Sequence, residues 1–129
     1  MEAKELMIGD WVWYDGQPYQ IRRLGIFGEN RDGESFPAVC VGKPIGIGLI
    51  VERNEIEPIP LTPEILEKNG FAFNNLPIEQ CWQQYGLHLY LSGHGYAINC
   101  GENVSLRIDY VHQLQHALRL CGIENEIEL

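Results

Sequence analysis

The sequence predicts an α+β fold: an N-terminal small β-barrel of the Src-homology-3 style, followed by an antiparallel sheet with one main helix. Three observations carry this expectation. Residues 6–57 read as short apolar runs separated by turn residues, with no helical period among them. Ile56–Leu61, I-E-P-I-P-L, sets two prolines within three residues and reads as a stiff, extended connection. Residues 109–121 repeat apolar side chains at three- and four-residue spacing, and residues 124–129 alternate apolar with acidic ones. The expected division is therefore 1–58, the small barrel, and 59–129, an α+β subdomain running strand-strand-strand-helix-strand.

Each element follows from local chemistry. Leu6–Asp10 leads into a first strand, Trp11–Tyr14, and Asp15-Gly16 is a strong two-residue hairpin signal. Tyr19–Ile26 is the returning strand, and Gly28–Ser35 (G-E-N-R-D-G-E-S) is a polar loop. Phe36–Val41 is the next strand, Lys43-Pro44 a break, and Ile45–Val51 another strand. Gly46 and Gly48 within that last run point to bending or close backbone approach.

Beyond the linker, Thr62-Pro63-Glu64 opens a short helix with a capping hydroxyl, proline at the first helical position and an acid in the first turn. Asn69-Gly70 stops it, and Phe71 and Phe73 dock it. Pro77–Tyr85 reads equally as a helical turn or an irregular strand. Leu87–Leu91, Tyr96–Cys100 and Val104–Ile108 form a meander turning at Gly93-His94-Gly95 and at Gly101-Glu102-Asn103. In the helix Asp109–Cys121, Tyr110, Val111, Leu114, Ala117, Leu118 and Cys121 form the buried stripe. His112, Gln115, His116 and Arg119 fall on the polar side. Gly122 suits a left-handed cap. Glu124–Leu129 is expected to be a final strand, with Ile127 and Leu129 inward.

The 129 residues carry 18 acidic and 9 basic side chains, a net charge of −9, and 45% apolar residues. That fraction is enough for a packed core. Nucleic-acid backbone binding draws on clustered Lys and Arg, and the tight basic pair here, Arg22-Arg23, lies inside an expected strand. The charge favours a protein partner over nucleic acid. No apolar run approaches a membrane span. The start, M-E-A-K-E-L-M-I-G-D-W, lacks a basic stretch followed by an apolar one, so no signal peptide is expected. Cys40, Cys81, Cys100 and Cys121 form no C-x-x-C pair. They read as free, buried thiols in a cytoplasmic protein.

Three stretches carry a resemblance. Ile56–Phe71 (I-E-P-I-P-L-T-P-E-I-L-E-K-N-G-F), Tyr110–Leu129 and the opening G-D-W-V-W-Y-D-G-Q-P resemble a family of small uncharacterised proteins of Bacteroides-type gut bacteria and their phages and mobile elements. The resemblance covers both ends and the linker. It implies kinship and a phage-related setting. It carries no activity, and no catalytic residue transfers from it.

Candidate sites follow from residue type and spacing. His112 and His116 stand four apart on one helical face, a spacing that can chelate a metal. Gln113 occupies the place where a metalloprotease helix carries its general base, so the hydrolytic reading lacks its chemistry. A hydrogen-bonding role is expected instead, with His112 and Gln113 tying the helix to neighbouring backbone. His88 and His94 flank a hairpin, and with Cys81 or Cys100 they admit a Cys–His pair that the spacing does not require. Neither Gly25–Gly28 nor Gly42–Gly46 has the ending of a phosphate loop. Trp11, Trp13, Tyr14 and Tyr19 concentrate aromatics at the barrel entrance, the chemistry of a peptide-binding groove.

The expected function is a non-enzymatic protein-interaction module of phage or mobile-element origin. Partner contacts are expected at Trp11, Trp13, Tyr14, Tyr19, His112 and His116. No catalytic residue, metal or cofactor is assigned. The alternatives are a small metal-dependent or Cys/His hydrolase and a nucleic-acid-associated accessory protein.

Overall fold

The computed structural model describes residues 5–43, 46–75, 80–84, 86–92, 95–99, 105–124 and 126–129. The chain is α+β, with two five-stranded antiparallel sheets and one main helix. It divides into two compact units, residues 1–59 and 60–129.

In the N-terminal unit, strands β1 (Trp11–Tyr14), β2 (Gln17–Glu29), β3 (Ser35–Gly42), β4 (Leu49–Glu52) and β5 (Glu57–Pro58) lie in the order β4-β3-β2-β1-β5. A single 3-10 turn, Arg53–Glu55, connects the fourth strand to the fifth. The end strands β4 and β5 are not paired with each other among the described residues, so the sheet is open rather than a closed barrel. Asp15 and Gly16 take positive φ of 48° and 72°, the mirror-image turn that matches strand twist in a two-residue hairpin.

The second strand is longer than the expected Tyr19–Ile26. Its ladder with β3 shifts register between Ile21 and Arg23 and again between Arg23 and Ile26. Such bulges bend a strand and let it serve a curved sheet. Inward side chains from four strands and two flanking segments then converge: Leu6, Val12, Ile21, Val39, Val41, Val51 and Ile56 form one buried cluster, with Tyr14, Tyr19 and Leu24 packed against it.

The expected polar loop 28–35 is shortened at both ends: Gly28 and Glu29 belong to β2 and Ser35 to β3. The reversal is confined to the few residues that the Asn30 side chain organises. Its Oδ1 accepts from the Asp32 N–H at 3.0 Å and the Glu34 N–H at 2.9 Å. The expected strand 45–51 begins only at Leu49. Gly46 has a φ of 123°, and its carbonyl accepts from Arg22 Nη1 at 2.9 Å. A Cβ at Gly48 would stand 2.6 Å from Cys40 Sγ, so close backbone approach does hold at this glycine. Pro44 and Ile45 lie outside the described residues.

Asp10 is fully buried. Its carboxylate accepts from the Met7 N–H at 2.7 Å, and its own N–H donates to the Met7 carbonyl at 3.1 Å. Gly9, with a φ of 94°, lets the chain turn tightly enough for this. The carboxylate thus closes a turn that feeds directly into β1.

The C-terminal unit opens with α1 (Pro63–Lys68). Thr62 caps it, accepting from the Ile65 N–H at 3.3 Å. Strands β6 (Ala72–Asn75), β7 (Gln80–Gln84), β8 (Leu87–Ser92), β9 (Gly95–Asn99) and β10 (Ser105–Ile108) follow as a meander in the order β10-β9-β8-β7-β6. Helix α2 (Val111–Leu120) comes last. Five strands therefore precede α2 where three were expected. Phe73 belongs to β6, and β7 resolves the ambiguity of 77–85 over its described part. Residues 77–79 and 85, the turn at Gly93-His94, and residues 100–104 lie outside the described residues.

One cross-strand row, Phe73–Trp82–Leu89–Ile98–Leu106, spans this sheet. It is buried at Trp82, Leu89 and Ile98 and partly exposed at both edges. The Trp82 ring meets Phe73 at 5.0 Å and Tyr96 edge-on at 5.6 Å.

Both helices end in the same device. The Phe71 N–H reaches the Leu66 carbonyl while Gly70 reaches Glu67. In α2, Ile123 reaches Leu118 while Gly122 reaches Arg119. Gly70 and Gly122 have φ of 89° and 72°. This is the Schellman pattern, which glycine adopts without a Cβ penalty.

Helix α2 starts at Val111, not Asp109. The Gln113 side chain accepts from the N–H groups of Asp109 and Tyr110 at 2.7 and 3.1 Å. Leu114 and Leu118 are buried, but so are His112 and Gln115, which were expected on the polar face. The buried arc is wider than the apolar stripe at the helix start, where the Tyr110 ring stacks on His112 at 6.0 Å. Cys121, by contrast, is exposed, because it falls at the cap beyond the last covered turn.

The expected strand 124–129 is not a strand among the described residues. Its side-chain alternation survives: Ile127 is buried while Glu124, Glu126 and Glu128 are exposed. Its backbone is held by the Asn69 amide rather than by a sheet edge. Oδ1 accepts from the Glu128 N–H at 2.7 Å, and Nδ2 donates to the Glu128 carbonyl at 2.8 Å.

Candidate functional site

One candidate lies in the N-terminal unit. It is an open groove of about 420 Å³ lined by Tyr14, Asn30, Phe36, Ile50, Val51, Glu52 and Glu55. The β1–β2 turn places Tyr14 at the end of its strand, edge-on to Tyr19 at 6.0 Å. The Asn30-centred turn delivers Phe36 near the start of β3, directly across the ladder from Gly28. The Phe36 ring lies over the space that a Cβ at Gly28 would occupy. An aromatic covering a cross-strand glycine pins both the register and the ring. Strand β4 supplies Ile50 and Glu52 on one face and the buried Val51 on the other. Glu55 comes from the 3-10 turn. Ile50 is 59% exposed. Among the described residues no ion pair involves Glu52 or Glu55.

The aromatic residues singled out from sequence separate in space. Trp11 is buried. Trp13 is partly exposed and pairs across the sheet with Pro18 and Glu57, away from the core face. Tyr14 lines the groove. Tyr19 packs on the core, with the Lys43 ammonium 4.5 Å above its ring. That ammonium also donates to the Pro18 carbonyl at 2.7 Å. Trp82 belongs to the core of the C-terminal unit, and Tyr85 lies outside the described residues.

His112 and His116 stand in the C-terminal unit, with ring centroids 5.6 Å apart and edge-on. His116 lines a smaller groove of about 170 Å³ with Leu106, Arg107, Ile108, Gln113, Ala117 and Leu120. Arg107 there is paired with Asp109 at 3.3 Å. His88 Nδ1 meets the Tyr90 hydroxyl at 3.3 Å, and Cys81 Sγ takes a long contact from Gln83 Nε2 at 3.8 Å. His94 and Cys100 lie outside the described residues. Among the described residues no three His, Cys, Asp or Glu side chains gather to hold a metal, and no helix is long and apolar enough to cross a membrane.

Phe36, Ile50, Glu52, Glu55 and Asn30 were not singled out from sequence. The readable signal was the junction V-E-R-N-E after a strand, where two acids bracket a turn. What it faces depends on a hairpin whose span was mis-set. No family model, curated protein or solved structure matches the chain.

Proposed function

We propose that this chain is a non-enzymatic protein-interaction module whose docking face is the Tyr14–Phe36–Ile50 groove. The observation that carries the reading is the composition of that groove. Half-buried Tyr14 and Phe36 and exposed Ile50 stand beside two carboxylates that have no ion pair among the described residues, in a chain of net charge −9. Aromatic floors with a charged rim are how small β modules seize peptides. We read the N-terminal unit as a curled sheet of the Src-homology-3 style. The order β4-β3-β2-β1-β5, the long bulged second strand and the 3-10 turn before the fifth strand support this. A cytoplasmic setting fits the free thiols of Cys40, Cys81 and Cys121. A phage or mobile-element origin belongs to the same proposal.

The test is cross-linking of the tagged chain in cells, identification of the partner by mass spectrometry, and reconstitution with the purified partner. Binding should be lost on Ile50→Glu and kept on Phe27→Ser, a second exposed apolar position outside the groove lining. A partner that ignores Ile50→Glu, or clear turnover of a small substrate by the purified chain, defeats the reading.

A further inference from the structure

The groove has a backbone side as well as a side-chain side. Strand β4 ends its sheet and has β3 as its one neighbour among the described residues. The ladder between them is regular, from Val41 opposite Leu49 to Ala38 opposite Glu52, with no register shift. The other edge of β4 therefore presents alternate N–H and carbonyl groups outward. Proteins usually blunt such an edge with lysine, proline, a bulge or very short length. This edge is short, but it carries Leu49 and Ile50, 46% and 59% exposed, and Ile47 just before it is 95% exposed. Apolar residues on a regular open edge suit a strand that is completed by another.

The side chains state what that strand carries. Ile50 and Glu52 are two apart and so share one face, while Val51 points into the core. A strand paired to β4 sets one of its residues against Ile50 and the residue two along against Glu52. Cross-strand neighbours of this kind interact directly: apolar with apolar, and a cation with a carboxylate. Glu55 adds a second acid to the lining of the same groove. A second copy of this chain brings a net charge of −9 and its own Glu52 to the same place, which like-charge repulsion opposes.

We propose that the partner binds by strand addition: an extended segment with an apolar residue and a Lys or Arg two positions apart pairs with the open edge of β4, its cation between Glu52 and Glu55. This rests on the interaction-module reading and names its mode and its partner chemistry.

The experiment uses the full chain, amide-resolved NMR and hydrogen exchange, with capped octapeptides of alternating threonine and valine. One peptide carries arginine two residues after the central valine, and another carries glutamate there. Two further versions of the arginine peptide are N-methylated at alternate residues, each removing the donors of one edge. The arginine peptide is expected to protect alternate amides within Leu49–Glu52 and to bind about five- to tenfold more tightly than the glutamate peptide. Its affinity should fall with salt, and one N-methylated version should lose binding while the other keeps it. Glu52→Lys should reverse the preference toward the glutamate peptide. Equal binding by both N-methylated versions, with groove resonances shifted, overturns strand addition while the module reading stands. Protection of the β4 amides by self-association without peptide overturns the proposed occupant. Failure of every peptide to shift the groove overturns the proposal. The module reading falls with it only if the cross-linked partner also maps elsewhere.

Discussion

The two units solve one problem differently. Each is a five-stranded antiparallel sheet with an apolar face to bury. The N-terminal unit bends its own sheet until small branched side chains, Val12, Ile21, Val39, Val41 and Val51, meet each other. The bend costs regularity: two register shifts in β2, a glycine at φ 68° in the same strand, and an open edge at β4. The C-terminal unit keeps a regular sheet with larger side chains, Trp82, Leu89, Tyr96 and Ile98, and adds a helix whose Val111, Leu114 and Leu118 are buried. A sheet that must curl leaves strand ends and groove-facing aromatics open, and that is where docking chemistry collects. A sheet accompanied by a helix hides its tryptophan.

The contrast can be broken most directly at the helix. Leu118→Ala removes a fully buried side chain and should cost about 2–5 kcal/mol in denaturant unfolding. Ile21→Val, in the cluster of branched residues, should cost only about 0.5–1.5 kcal/mol. Equal costs would mean that α2 is not the main cover of its unit.

The next effect tests the turn before β1. Asp10→Ala removes a fully buried carboxylate and leaves the half-buried Met7 N–H without its acceptor, a loss of about 1–3 kcal/mol. Asp10→Asn keeps an acceptor and should lose less. Amide exchange read unit by unit should place the damage around β1 and β2. Uniform loosening of residues 60–129 instead would contradict the assignment of this turn to the first unit.

A smaller effect sharpens the account of the chain's last residues. Asn69→Ala deletes two hydrogen bonds to the Glu128 backbone, each worth about 0.5–1.5 kcal/mol. The Glu128 amide should exchange faster while the α2 amides stay protected. Loss of α2 protection would show that this segment supports the helix as well.

The smallest effect is a pH dependence confined to the second unit. Burial, and secondarily the Glu64 carboxylate, push the Tyr96 phenol above its ordinary value near 10. A raised value in the folded chain means that the neutral phenol is favoured there. Its stabilisation is fully present below about pH 10 and is lost as pH rises through the folded value. Phenolate absorbance should show one tyrosine titrating late, and Tyr96→Phe should remove that alkaline sensitivity. A tyrosine set that titrates together would refute it.

Local chemistry made much of this legible. Asp15-Gly16 turns where mirror-image φ values demand those residues. Thr62-Pro63 starts a helix, and Asn69-Gly70 and Gly122 end both helices, because caps need only a few neighbouring residues. The stripe through Leu114 and Leu118 and the burial of Ile127 between acids also follow from periodicity, which records the direction of a side chain without its partner. Partnership is what only the tertiary structure decided. Residues 124–129 have a strand's alternation but lie against the Asn69 amide, because pairing depends on an edge elsewhere in the chain. His112 and Gln115 are buried because the cover over a helix is set by its neighbours, not by its own stripe. The groove assembles Tyr14, Phe36, Ile50 and Glu55 from four elements across more than forty residues of chain. No local pattern marks such a set, since each member is ordinary where it stands and becomes a site only when the bulged second strand brings the others to it.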